Sequence, residues 1–194
     1  MVTRLVLLNG APGSGKSTLA GRYVEDHPLT LALDIDVVRS MLGGWLGHHT
    51  EAGLLARRLA LAMAREQLLT DRDAVIPQFV GRLEFVLELE QLCTEVGAQF
   101  VEVVLLSDVQ NAARRFQRRS SAPNSDSHRD AAALLERLGG PHALPQMYGQ
   151  LLDVVAKRPA TRTIITVDGE VDRAYRDLIR HVDAAAAGKP ATGG

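Results

Sequence analysis

The chain has 194 residues, 46% of them hydrophobic and 23% charged, the length of one domain able to bury a sizeable core; disordered, collagenous and fibrous classes are excluded. Lys and Arg total 22 against 23 Asp and Glu, a formal net charge of -1, which weighs against a polycationic duplex binder and leaves room only for a local basic patch. Cys93 is the single cysteine, so an internal disulfide and a multi-cysteine zinc site are ruled out and a reducing, cytoplasmic setting fits best.

The first apolar run, Leu5-Val6-Leu7-Leu8, is far shorter than the about 20 residues of a membrane-spanning helix and reads as a buried strand over 4–8. Directly after it stands Gly10-Ala11-Pro12-Gly13-Ser14-Gly15-Lys16-Ser17, a full G-x-x-x-x-G-K-[ST], followed by a helical stretch over 18–26. Its glycines let successive backbone N–H groups turn inward around a phosphate chain, and the helix that follows adds the positive end of its dipole. Lys16 is expected to reach the β- and γ-phosphates, the Ser17 hydroxyl to ligate Mg²⁺, and Thr18 to join the phosphate site. The competing reading is a glycine turn that only joins strand to helix; the coincidence of strand, complete motif and helix weighs against it.

A second strand over 30–33 leads into Asp34-Ile35-Asp36-Val37-Val38-Arg39. The carboxyl ends of strands in an open parallel sheet line the ligand crevice, so either Asp34 or Asp36 can serve as a general base, and either can instead cap the next helix. Arg39 lies three residues beyond Asp36, on the same helix side, placed to hold the base or a substrate anion. Trp45, in Gly43-Gly44-Trp45-Leu46-Gly47, is suited to stacking on a substrate ring or to covering the core. The adjacent His48 and His49 lack the spacing of a zinc pair and read as exposed loop residues.

A helix is expected over 50–69, with Leu55, Leu59, Ala62 and Met63 as its core stripe before Glu66 turns it polar. The third strand, 74–77, closes on Gln78, with Arg82 beyond it, both candidates to face substrate; an acidic residue after this strand, common in nucleotide hydrolases, is missing, which argues against a hydrolysis motor. Cys93 reads as a small core residue of a helix. After the fourth strand, 100–106, come Asp108, an alternative acidic group or a helix cap, and then Arg114, Arg115, Arg118 and Arg119. Like charges four apart repel unless an anion such as a triphosphate offsets them; a solvated helix face is the plainer reading. Residues 120–130 are polar enough to read as a mobile loop, the fifth strand is expected over 163–167, and 188–194 as a frayed tail. Strands alternating with helices give an α/β fold with a parallel sheet covered on both faces.

The phosphate loop, the Asp36-x-x-Arg39 and the arginine-rich segment together resemble the small P-loop kinases that include the 5′-kinase domain of phage polynucleotide kinase, chloramphenicol phosphotransferase, zeta toxins, gluconate kinase and adenylylsulfate kinase. The resemblance spans about residues 2–183 and implies a three-layer P-loop sandwich with sheet order 2-3-1-4-5, one domain over 1–187 and a lid around 114–140. It implies Asp36 as base with Arg39 at the acceptor, as in the Asp-x-x-Arg of polynucleotide kinase. Arg114 and Arg118 become lid residues on the nucleotide, Arg118 catalytic, and Asp168-Gly169 the loop beside adenine. Many members carry an acidic residue where Gln78 stands here. The expected activity is transfer of the γ-phosphate of ATP, with Mg²⁺, to a hydroxyl of a small molecule such as an antibiotic, nucleoside or sugar-like metabolite, with no membrane partner. A polynucleotide 5′-hydroxyl kinase, drawing on Arg39, Arg82 and Arg57-Arg58, and a nucleotide-binding regulator with little transfer are the alternatives.

Overall fold

A computed structural model describes residues 2–107 and 140–186. In chain order these form β1 (Arg4–Gly10), α1 (Lys16–Asp26), β2 (Leu31–Ala32), α2 (Ile35–Ser40), α3 (His49–Leu69), β3 (Ala74–Pro77), α4 (Leu83–Val96) and β4 (Gln99–Leu106). A 3₁₀ turn (Gly140–Ala143), α5 (Leu144–Ala156), β5 (Arg162–Ile165) and α6 (Val171–Ala186) complete them. The strands make one parallel sheet in the order β2-β3-β1-β4-β5, the order the resemblance implied.

Alternation along β1 explains its unbroken apolar run. Leu5 and Leu7 enter a core with α2, α3, α4 and Val154 of α5, while Val6 and Leu8 enter a second core with Leu19, Ala20 and Tyr23 of α1 and Tyr175, Leu178 and Val182 of α6. A strand buried on both faces needs apolar side chains in both phases. All strand carboxyl ends therefore emerge at one edge, where the phosphate loop leaves β1, α2 leaves β2 and Gln78 leaves β3.

Two strands are shorter than expected. The Leu33 N–H still bonds to the Val75 carbonyl (2.9 Å), yet the chain then turns at Asp34 to start α2, so β2 keeps two residues. At the other edge the Thr166 N–H bonds to the Leu106 carbonyl (2.7 Å) before a turn over 167–170 ends β5. Helix α3 departs from the expected pattern more deeply. Its buried residues are Ala52, Ala56, Ala60, Ala64 and Leu68, whereas Leu55, Leu59 and Met63 are 40–42% exposed. Small side chains let the α3 backbone approach β1, β3 and α4, and the bulkier stripe faces outward. The lid segment 114–139, Asp108 and the tail 188–194 lie outside the described residues.

One charged cluster crosses the otherwise apolar layer between β4, α4 and the α5–β5 connection. Glu102, 5% exposed in β4, accepts from Arg158 Nε (2.5 Å) and from the Thr161 hydroxyl (3.0 Å), while Arg158 Nη1 and Nη2 donate to the two Glu90 oxygens at 3.1 and 3.2 Å. Burial alone would lower the Arg158 pKa, but the bonds to Glu90 and Glu102 outweigh it and raise it. Removing one partner of a buried pair strands the other charge, at a cost of about 3–5 kcal/mol. Arg158→Ala is thus expected to lower unfolding free energy in urea by that amount, and Glu102→Gln by less; equal stability of Arg158→Ala and wild type would show that water already screens the cluster.

Candidate active site

The phosphate loop begins where Asn9 ends the apolar strand. Asn9, fully buried, accepts through Oδ1 from the N–H groups of Gly10 and Val80 (both 2.8 Å) and donates through Nδ2 to the Val80 carbonyl (3.0 Å). These three bonds tie the loop's first residue to the segment after β3. Gly10 has no room for a side chain: a Cβ there would lie 2.5 Å from Ser14 Oγ and 2.9 Å from the Leu105 carbonyl oxygen. Gly13 (φ 82°) and Gly15 (φ 99°) take left-handed conformations that carry the chain round to α1, with Gly15 as its N-cap.

Lys16, Ser17 and Thr18 then form the first turn of α1, whose amides have no acceptor within the helix. Lys16 Nζ donates to the carbonyls of Gly10 (2.8 Å) and Ala11 (3.0 Å), so the ammonium is folded over the loop. The Ser14 hydroxyl, in a residue 1% exposed, has no hydrogen-bond partner among the described residues. Ser17 and Thr18 are exposed. First-turn amides without an acceptor inside the helix, an ammonium at the loop, a buried unsatisfied hydroxyl and an exposed serine hydroxyl make a donor set that fits a polyphosphate with a hard divalent cation.

Beside this loop, α2 presents the two aspartates in different roles. Asp34 is the N-cap: its backbone is extended and its Oδ1 accepts from the Asp36 N–H (2.9 Å). Burial, and next the Asp36 carboxylate, push the Asp34 pKa up, against the backbone N–H groups of Asp36 and Val37 and the Lys16 ammonium. That Lys16 acts on Asp34 places the phosphate loop and the start of α2 in one electrostatic neighbourhood. Asp36, in the first helical turn with a side chain 30% exposed, pairs through Oδ1 with Arg39 Nη1 at 3.0 Å. The Arg39 guanidinium carbon stands 4.8 Å from the centre of the Trp45 ring.

The other expected site residues are spread along the same edge. Gln78, half-buried, donates its N–H to the Leu8 carbonyl (3.1 Å), and its Oε1 is buried without a partner among the described residues. Arg82 is exposed at the N-cap of α4. Asp168 and Gly169 are exposed on the turn after β5, where Gly169 has φ 81° and the Glu170 N–H bonds to Val167 (3.2 Å). Arg114, Arg115, Arg118 and Arg119 fall outside the described residues. His48 and His49 are exposed, Cys93 is buried with burial pushing its thiol up to about 12, and Arg57 lies over the buried Phe85 ring at 5.5 Å. Sequence reasoning missed Asn9; a polar residue directly after a four-residue apolar run was the available signal.

The parallel sheet and the strand–loop–helix at its centre define the P-loop kinase fold. Residues 5–139 match the family described as AAA domain, and the chain belongs to that family. An adenylate kinase of Deinococcus radiodurans is 28% identical in an alignment 184 residues long that covers 86% of this chain and 89% of that one. Among solved structures, a gluconokinase from Sinorhizobium meliloti 1021 superposes with a TM-score of 0.62 at 14% identity, covering 96% of this chain and 95% of its own. A chain of the Pnkp1/Rnl/Hen1 RNA repair complex gives 0.59 at 18% identity over 80% of this chain and 46% of its own. The resemblance read from the motifs is borne out, and these structural likenesses carry the fold.

Because the Asp34 pKa is raised on folding, the native state binds that proton more tightly than the unfolded chain. Its contribution to stability is full below the unfolded value of 3.8 and is lost as pH rises through the folded value. Asn caps a helix as well as Asp does, so Asp34→Asn is expected to gain stability relative to wild type as pH rises above about 4. Urea melts across pH 4–7 check this, and a difference that does not change with pH contradicts it.

Proposed function

We propose that the protein is an ATP-dependent phosphotransferase that moves the γ-phosphate to a hydroxyl of a small molecule. The observation that carries this reading is the loop over residues 10–17 with Lys16 Nζ folded over its carbonyls, at the same sheet edge from which α2 and its Asp36–Arg39 pair leave β2. Lys16 exchanges the loop carbonyls for β- and γ-phosphate oxygens, and the amides of the first turn of α1 bind the rest of the chain. Ser17 would hold Mg²⁺, which supplies neutralisation of phosphate charge when bound. Asp36 takes the proton of the acceptor hydroxyl as its oxygen bonds to the γ-phosphorus; the bond from that phosphorus to the β–γ bridging oxygen breaks and ADP leaves. Arg39 donates to the acceptor, Gln78 and Arg82 border it, Arg114 and Arg118 neutralise charge on the phosphoryl group, and Asp168-Gly169 flank the base of ATP.

The acceptor sets two readings apart. Likeness to a gluconokinase fits a small acceptor. Likeness to a chain of an RNA repair complex supports a second reading, a 5′-hydroxyl polynucleotide kinase, in which exposed Arg58 and Arg82 contact the strand.

Transfer of labelled γ-phosphate from ATP·Mg²⁺ is to be measured against AMP, gluconate, aminoglycosides, amphenicols, nucleosides and a 5′-hydroxyl oligonucleotide, with Asp36→Asn in parallel. A positioned base contributes about 10²–10⁴-fold, so Asp36→Asn is expected to lose product by that factor while still binding ATP. Undiminished turnover in the variant would remove Asp36 from the role of base, and an oligonucleotide as sole acceptor would select the second reading.

A further inference from the structure

Arg39 is a buried charge with few partners. The residue is 7% exposed, its Nη1 is paired with Asp36, and its Nε and Nη2 are buried with no hydrogen-bond partner among the described residues. A guanidinium in that position loses its hydration, and a single ion pair three residues away along one helix is a weak substitute for it. The second contact is the face of Trp45, itself only 8% exposed. An aromatic face attracts a cation through its quadrupole, most strongly when both are out of water, and a planar guanidinium stacked on it keeps its in-plane donors free.

The local chain is built to bring that ring back over α2. Successive turns run from the end of the helix, with the N–H groups of Trp45, Gly47 and His48 bonded to the carbonyls of Leu42 (3.3 Å), Gly44 (3.0 Å) and Trp45 (3.1 Å). Gly44 takes φ 67° with open space where a Cβ would stand, so its glycine serves the backbone turn that precedes Trp45 rather than a tight fit.

We propose that Trp45 is a positioning residue, its indole face holding the Arg39 guanidinium in the orientation that keeps Nη1 on Asp36. The inference rests on the phosphotransfer reading of the Asp36–Arg39 pair. It distinguishes the shape of the side chain from its electrons: Phe preserves a face, Leu preserves apolar bulk without one.

The test compares wild type, Trp45→Phe, Trp45→Leu, Arg39→Met and Arg39→Met/Trp45→Leu, with AMP, gluconate and a 5′-hydroxyl oligonucleotide as acceptors. A desolvated cation–π contact corresponds to about 5- to 30-fold. Trp45→Leu is expected to lose kcat by that factor with KM for ATP unchanged, Trp45→Phe to keep most activity, and Trp45→Leu to cost nothing further once Arg39 is Met. Equal losses for Trp45→Leu in both backgrounds, or no rescue by Phe, would overturn the proposal. Trp45 is the only tryptophan, so its emission reads the contact without any acceptor: Arg39→Met is expected to change it, and an unchanged spectrum overturns the proposal by itself. A wild type that transfers phosphate to none of the acceptors instead counts against the functional reading, and the emission arm still decides the positioning.

Discussion

Everything at the candidate site hangs on the way β1 ends. A buried asparagine there binds the backbone of Gly10 and of Val80 at once, so the phosphate loop and the segment after β3 leave the sheet as one unit. A buried backbone group without a partner costs about 1–3 kcal/mol, and Asn9 satisfies the Gly10 N–H beside it and, 71 residues along the chain, both the N–H and the carbonyl of Val80. With that edge held, Gly10 can pass within van der Waals contact of Ser14 and Leu105, and the first turn of α1 follows directly at Lys16.

The same edge sorts the two aspartates. Asp34 closes the open amide of α2 through its Oδ1, and burial raises its pKa. Asp36 keeps an oxygen on Arg39 and a side chain partly open to solvent, and Arg39 in turn leans on Trp45. A short chain of contacts within residues 34–45 is thus carried by one helix of six residues and the glycine turns that follow it.

The sequence made the frame legible where local rules and tertiary demands agree. The strand, glycine turn and helix over 4–26 could be read because an apolar run, closely spaced glycines and a helical stretch follow one another in the sequence, and β3 fell on 74–77 because a wholly buried strand must be wholly apolar. The core face of α3 was misread for a physical reason: periodicity weighs bulk, so Leu55, Leu59 and Met63 looked like the inward stripe, while close helix packing selects the alanines at 52, 56, 60 and 64. Asn9 and the Arg158–Glu90–Glu102 cluster were hidden because their partners lie far apart in sequence, and hydrogen bonds between distant segments leave no local pattern. Trp45 was noticed, but its contact with Arg39 depended on the turn geometry of 42–48.

The central claim is that the loop over residues 10–17 is a nucleotide-phosphate site in which Lys16 gives up its carbonyl partners for the ligand. Calorimetric titration of the wild type and Lys16→Met with ATP·Mg²⁺ tests it most directly. A charge-assisted hydrogen bond is worth about 1.5–3 kcal/mol, so the wild type is predicted to bind ATP·Mg²⁺ and the variant, still folded, to bind about 10- to 100-fold more weakly. Equal affinity of the two, or no binding by the wild type, would contradict the account.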